Sequence, residues 1–446
     1  MKSRTSPNPE TIETSLTPEE LFKDQPEKLN IVLGSETSVI SGPMNKLMHL
    51  APFFAEAGHS LTIILPNKDS SKFGDLGGAK VIDTSFIKIT EFELSVLQFP
   101  KVIDKKLRSN GVDPKKIDIF HAATPMRGPF NSFFLAGSLI DMAYKMDKPI
   151  VAGAQSFNRD IARSTITTVA NRHQIPGLLK IAAPLVDNFV IKQEKTMHSK
   201  ADINFSPSPA MDRYILERGI SKNKLVRLAN GINPAFSRSR RELEEAKSQR
   251  QSWGVKPSEI VLLVPGRLSS EKSLEKLVHI TSLPKTKLVI VGDGPERQKL
   301  EKLLPNAIFT GMLRDKDLAN AYANGDILVL TSDTESYSQV LFEGYASSLP
   351  VVAPNSGAFV DLVEEGVVGL KYDSGPTLVA AVEKLVHDQK LRQTMANNAH
   401  SLSPESWYDN FKRTEKIYRL AIYLHQRPHL SQDVIAKTIA ALDLGI

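Results

Sequence analysis

From Asn30 onward the chain sets short, unbroken apolar runs between longer stretches whose apolar residues recur at helical spacing. In the first half the runs are NIVLGS (30–35), SLTIILP (60–66), IDIFHA (117–122), PIVAGA (149–154), DINFS (202–206) and KLVRLA (224–229). In the second half they are EIVLLVPG (259–266), KLVIVG (287–292), AIFTG (307–311), DILVLT (326–331) and PVVAP (350–354). Runs that do not alternate with polar residues are expected for parallel strands buried on both faces. Between them, LEKLVHI (274–280), ERQKLEKLL (296–304) and residues 339–346 read as helices. Strand and helix alternate in this way twice, which predicts an α/β protein of two Rossmann-like, doubly wound domains. The two are expected to face a central cleft, where ligands bind at the carboxyl ends of the strands.

The segment 229–254 combines turn residues with a dense charge run and places the junction near 232–240. The charge run itself reads as a solvated helix rather than an anion patch. The expected divisions are a disordered tail at 1–27, a first domain at 28–235, a second at 236–404, and terminal helices at 405–446. Residues 1–27 carry Pro7, Pro9, Pro18 and Pro26 among Ser, Thr and Glu, with no apolar core of a secretory signal. Residues 433–446 place Val434, Ile435, Ile439, Leu442 and Ile446 at helical spacing, as in a packed terminal helix.

Composition narrows the classes. The chain has 446 residues, 41% hydrophobic and 24% charged, which excludes wholesale disorder. No apolar run approaches the ~18–20 residues that span a bilayer. There is no cysteine, so neither a disulfide framework nor a cysteine-built metal site is possible. The charge of +6 leaves room for an anionic partner. Nucleic acid is not expected as that partner, because no recognition motif and no basic–aromatic interleaving accompany the charge. The absence of cysteine is compatible with a reducing cytosol, and a cytoplasmic location is expected, with peripheral contact to a membrane left open.

Four places in the second half are suited to an anionic ligand. In PGRLSSEKSLEKL (265–277) a strand ends at Gly266, and Arg267 and Lys272 flank a turn opening a helix. Two cations so spaced converge on one diphosphate while the helix start adds N–H groups; a surface pair around a capped helix is the rival reading. VGDGPE (291–296) turns tightly at Gly292 and Gly294, which alone is a weak signal. Gly357 in NSGAFVDLVEEGVVGL (355–370) either lets backbone approach a phosphate or marks an ordinary loop. The fourth, TSDTESYSQVLFEGYASSLPVVAP (331–354), holds Glu335 in a polar loop and Glu343 about two helical turns later. With Ser336 to Ser338 at the helix start, their N–H groups would face an anion. The two glutamates would then accept hydrogen bonds from separate hydroxyl-bearing units of one ligand, the layout of a sugar nucleotide.

The ordered series GRLSSEKSL, VGDGPERQKL, FTGML, Glu335–Glu343 and SLPVVAPNSGAFVDLVEEGVVGL resembles the retaining glycosyltransferases of family four, over residues 29–420. The likeness is specific in the second half and looser in the first. That resemblance implies the GT-B fold, with the donor site in the second domain, and ESWYDNFKRTEKIYRLAI (405–422) looks like the terminal helix crossing back to the first. IDIFHAATPMRGPF, KPIVAGAQ and KLVRLANGINPAF are most similar to sulfoquinovosyldiacylglycerol synthases and related glycolipid synthases.

By resemblance, Arg267 and Lys272 hold the donor diphosphate, Glu335 contacts the transferred hexose and Glu343 the ribose. Gly266 and Gly292 shape the site, the backbone of Ser336, Tyr337 and Ser338 faces the phosphates, and Met312 and Leu313 lie near the base. Gly42 falls in the glycine-rich loop beneath the diphosphate. Three departures stand out: Ser41 replaces the first glycine of that loop, Ser338 replaces a glycine, and Gln155 replaces an acceptor-side histidine. His121 either substitutes for that histidine in part or is structural. The implied activity is retaining, metal-independent hexosyl transfer without a cofactor, from a UDP-sugar in preference to a GDP-sugar, to an acceptor hydroxyl. Lys101, Lys105, Lys106, Arg108, Lys115 and Lys116 form a basic group that either rests on an anionic membrane, as a lipid acceptor would need, or is simply a solvated face. A catalytically silent sugar-nucleotide-binding scaffold of the same fold is the alternative.

Overall fold

A computed structural model describes residues 17–35, 42–65, 76–83, 92–123, 135–154, 177–237 and 249–444. The chain divides into two compact units, Met1–Ala229 with Tyr408–Ile446, and Asn230–Trp407. Unit 1 is built on seven parallel strands: β1 (Asn30–Ser35), β2 (Ser60–Leu65), β3 (Lys80–Asp83), β4 (Ile119–Ala123), β5 (Ile150–Gly153), β6 (Ile203–Ser206) and β7 (Leu225–Arg227). Their order is β3-β2-β1-β4-β5-β6-β7. Unit 2 has six: β8 (Ile260–Pro265), β9 (Thr286–Val291), β10 (Ile308–Phe309), β11 (Ile327–Val329), β12 (Val351–Pro354) and β13 (Gly369–Tyr372). These run in the order β10-β9-β8-β11-β12-β13, again with every pair parallel.

Each predicted apolar run contains one of these strands. The reason is visible in β8, where Val261 and Leu263 enter one buried cluster and Leu262 and Val264 enter the other. Both faces of the sheet are covered, so neither set of alternate residues can be polar. Two strands escaped the prediction, β3 (KVID) and β13 (GLKY), and both lie at sheet edges. Edge position alone does not hide a strand, since β7 and β10 are edges too and were predicted; in β3 and β13 the residues Lys80, Asp83 and Lys371 break the apolar run.

Three local expectations change. Within the expected tail, Pro18–Phe22 forms a helix closed by a Thr17–Glu20 capping box, and Leu21 is buried. Arg419 ties down the chain beyond this helix by donating to the carbonyls of Pro26 and Glu27; residues 1–16 lie outside the described residues. The stretch after Gly266 is not an α-helix but two 3₁₀ turns, Ser270–Lys272 and Leu274–His279. Ser273 between them takes a left-handed φ of 48°, which interrupts any continuous helix. Finally, unit 2 begins at Asn230 rather than near 235, because Ile232 and Phe236 are buried in its core. At the other crossing it ends at Trp407, where the Ile232 N–H donates to Glu405 O. Of the charge run, residues 238–248 lie outside the described residues.

The terminal helices belong to unit 1. Helix Trp407–His425 lays Phe411 and Tyr418 against Phe54, with ring centroids 5.0 and 5.6 Å apart. Helix Gln432–Ala441 buries Val434 and Ile439, as its spacing predicts. Among the described residues no helix is long and apolar enough to cross a membrane.

Candidate functional site

In unit 2, the predicted residues gather where β8, β9 and β11 end. β8 hands directly to Gly266, whose N–H donates to Val291 O at 2.9 Å. Gly292, at the end of β9, has φ of 146°, and a Cβ there would stand 1.9 Å from Gly266 O. The glycine at this turn thus serves the crossing of two neighbouring strand ends, a demand no side chain can meet.

The segment after Gly266 is stitched to the loop after β11. Thr331 Oγ1 donates to Lys272 O at 2.6 Å, and Ser332 Oγ donates to Glu271 O at 3.1 Å. Across this seam Lys272 Nζ meets Glu335 Oε1 at 2.6 Å, both side chains half-buried. A second pair, which sequence reading missed, runs beside it: Lys276 Nζ contacts Asp333 Oδ2 at 2.6 Å and Thr331 O at 3.2 Å. No local signal links residues 57 positions apart. Arg267, by contrast, is exposed and makes no ion pair among the described residues. Two lysine–carboxylate pairs therefore share one strand-end seam, and Arg267 joins neither.

Glu335 is also held from behind. Its carbonyl accepts the Ala358 N–H at 2.8 Å, and Gly357, at φ 57°, leaves room for that carbonyl: a Cβ would lie 2.8 Å from it. Gly357 thus admits the Glu335 loop. Tyr337 is buried, stacks on Phe342 at 4.5 Å, and its hydroxyl donates to Asn230 O at 3.2 Å. Gln339 Nε2 donates to Gly231 O at 3.0 Å, so the 230–231 turn, also missed in sequence, anchors this loop.

Helix Gln339–Ala346 starts one residue past the Ser336–Ser338 segment. Ser338 is its N-cap, and its hydroxyl accepts the Leu341 N–H at 3.3 Å. Its φ of 69° is a conformation glycine takes freely, so the serine adds a cap at a position that favours glycine. Ser336 is half-buried in the same loop.

Glu343 lies one helical turn further along the same element. Tyr322 donates its hydroxyl to Glu343 Oε2 at 2.6 Å. Burial raises the Glu343 carboxyl to about 7, against the opposing pull of that hydrogen bond. It is a carboxyl ready to accept from hydroxyls once a ligand favours its ionised form. Met312 is 62% exposed after Gly311, and Leu313 packs partly on the core, so the two face different surroundings.

A cavity of about 210 Å³ nearby is lined by Lys276, Asp333, Asn355, Ser356 and Ser374. None of Arg267, Lys272, Glu335 or Glu343 lines it, and it is small beside the ~300–1,000 Å³ typical of ligand sites.

The remaining predicted residues belong to unit 1. Gly42 opens helix Gly42–Glu56 after β1; Ser41 and Gln155 lie outside the described residues. His121, in β4, is 5% exposed and its Nδ1 lies 2.7 Å from the Tyr418 hydroxyl. Burial, with Lys46 nearby, lowers it to about 3, so it stays neutral at ordinary pH. In the basic group, Arg108 is answered by Asp104 and Asp113, while Lys101, Lys105, Lys115 and Lys116 are exposed.

Two family models match the chain in succession: Glycosyltransferase Family 4 over residues 45–236 and Glycosyl transferases group 1 over residues 245–402. Among curated proteins, a GDP-mannose-dependent alpha-mannosyltransferase of Corynebacterium glutamicum is 25% identical over 95% of this chain and 96% of its own. A sulfoquinovosyl transferase of Arabidopsis thaliana is 27% identical over 92% of this chain and 77% of its own. An alpha-monoglucosyldiacylglycerol synthase of Acholeplasma laidlawii is 23% identical over 85% and 94%. Among solved structures, a glycosyltransferase from Rickettsia africae aligns with TM-score 0.67 at 17% identity, covering 89% of this chain and 99% of that one. The fold is therefore GT-B.

Proposed function

The chain belongs to the glycosyltransferases of group 1 and family 4, and on that premise we propose that it moves a hexose, with retention, from a nucleoside-diphosphate sugar to an acceptor hydroxyl. The observation that carries this reading is the strand-end seam in unit 2, where Lys272 pairs with Glu335 and Arg267 has no ion-pair partner among the described residues. In the proposed step the anomeric C–O bond to the diphosphate breaks, a bond to the acceptor oxygen forms on the same face, and the hydroxyl proton passes to the departing diphosphate oxygen. Charge grows on the leaving diphosphate. Arg267 and Lys272 answer it, and preorganised donors of this kind typically contribute ~3–4 kcal/mol each to lowering the barrier. Glu335, released from Lys272 as the diphosphate takes its place, accepts from a hexose hydroxyl, and Glu343 accepts from the ribose. No metal or cofactor enters this scheme.

The sequence favoured a UDP-sugar. The Corynebacterium relative is named for GDP-mannose, so GDP-mannose stands beside UDP-sugars as a donor. A lipid acceptor reached from a membrane surface is supported by the glycolipid-synthase relative and by the four exposed lysines, each worth ~1 kcal/mol near an anionic surface.

Thermal unfolding with millimolar UDP, GDP or ADP, in the wild type and in Lys272→Ala, tests the donor site. A ligand at about 100 times its Kd adds ~2.7 kcal/mol of stability. A shift with one nucleotide that disappears in the variant is the expected result. Equal shifts in both proteins, or none with any nucleotide, would reject it.

A further inference from the structure

Helix Gly42–Glu56 buries Leu47, Leu50, Ala51 and Phe54. Lys46 lies on the same face, four residues before Leu50, and is only 4% exposed. Its Nζ has no hydrogen-bond partner and stands 5.0 Å from the centre of the Phe205 ring. Against that ring, at 5.3 Å, lies His121, whose Nε2 is equally buried and equally without a partner. The Tyr418 hydroxyl meets the other nitrogen, Nδ1. A phenol with no other acceptor satisfies its proton by donating to Nδ1, and on that ground the imidazole proton is assigned to Nε2. Two buried N–H donor groups thus lie against one aromatic ring, and neither has a hydrogen-bond partner among the described residues.

Leaving such groups buried and unmatched is costly, and an unpaired ammonium costs more than a neutral donor. Burial brings Lys46 down to about 7, so the ammonium is easily lost until something negative joins it. The buried carboxylates of unit 1 do not answer it: Asp141 is committed to Lys200, Glu194 to Arg218, and Asp212 to Arg227. Phe205 is the next-to-last residue of β6 and His121 the middle residue of β4, in a parallel sheet of the kind that takes ligands beyond its carboxyl edge.

We propose that Lys46 and His121 form a subsite in unit 1 for an oxyanion (phosphate, sulfonate or carboxylate) carried by a substrate. This rests on the glycosyltransferase reading only in that the carrier is then the acceptor or the transferred hexose. In the proposed function the donor's diphosphate is assigned to Arg267 and Lys272 in unit 2, and the unit 1 pair is assigned a second charge.

Titration calorimetry on the full chain separates the two carriers. One arm compares glycerol 3-phosphate with glycerol. The other compares UDP-glucuronate with UDP-glucose, and GDP-linked counterparts replace them if the chain binds GDP instead. Each arm uses wild type, Lys46→Met and Lys46→Arg, with the bare nucleotide as a control. In one arm the anionic probe is expected to bind at least tenfold more tightly than its neutral counterpart. That preference is lost in Lys46→Met and kept in Lys46→Arg, and the arm that shows it identifies the carrier. Bare nucleotide binding stays unchanged in Lys46→Met, and this variant, relieved of a buried unpaired charge, melts no lower than wild type. No preference in either arm, or a preference that survives Lys46→Met, overturns the subsite. Failure of the bare nucleotide to bind wild type would instead strike the donor reading, and leaves the glycerol 3-phosphate arm to be judged by itself.

Discussion

Replacing Glu343 with glutamine removes a charge from a place that disfavours it while keeping the shape and an acceptor for Tyr322. The folded chain raises this carboxyl from 4.5 to about 7. Between those values it holds a proton that the unfolded chain has already lost, so stability falls as pH rises through the window and levels off above 7. At ~1.4 kcal/mol per pH unit, the full loss is ~3 kcal/mol. Glu343→Gln does not titrate and avoids that loss. At pH 8.5 the variant should melt higher by roughly 6–12 °C, using ~2–4 °C per kcal/mol for a domain of this size. At pH 5 the difference should shrink towards zero. Thermal unfolding of both proteins at half-unit steps from pH 5 to 8.5 gives the difference curve directly. Nucleotide titrations over the same range add the functional half. Ribose hydroxyls favour the ionised carboxyl, so wild-type affinity should climb with pH up to about 7, while the variant binds more weakly and without that slope. A difference in melting temperature that is the same at pH 5 and 8.5, or a variant less stable than wild type at pH 8.5, would refute the reasoning.

Two further substitutions probe the neighbouring residues. Arg267→Ala should leave the melting temperature within a degree or two, because the guanidinium is exposed and makes no ion pair among the described residues. The same change should lower turnover by ~10²–10³, and near-normal turnover would remove Arg267 from the proposed clamp. Ser338 gives an ordering: Ser338→Ala keeps the left-handed φ and loses the cap, costing ~1 kcal/mol. Ser338→Gly relieves that φ and forgoes only a few tenths of a kcal/mol of capping, so chemical denaturation should rank glycine at or above wild type and alanine below. A glycine variant less stable than the alanine variant contradicts that account.

Much of the scaffold was legible along the chain because both faces of each sheet are covered, which forces interior strands to be apolar throughout. Where polar residues interrupt so short a run, as Lys80 and Asp83 do in β3 and Lys371 in β13, the signal is lost. Helical periodicity failed differently at Leu274–His279, since apolar residues three apart fit a 3₁₀ turn as well as an α-helix. Lys46 was legible in principle, as a charged residue on the apolar stripe of its helix.

Two parallel α/β units, the strand-end turns, and the candidate residues Arg267, Lys272, Glu335 and Glu343 all follow from the linear order of residues. Periodicity and turn chemistry act over a few positions, within reach of such a reading. Which of those residues meet is settled by the folded chain alone. Lys272 and Glu335 are 63 positions apart, and His121 and Tyr418 are 297 apart. Strand order and register bring such partners within bonding distance. The same burial that makes a strand easy to read also makes Lys46 an unmatched charge and Glu343 a carboxyl that holds its proton.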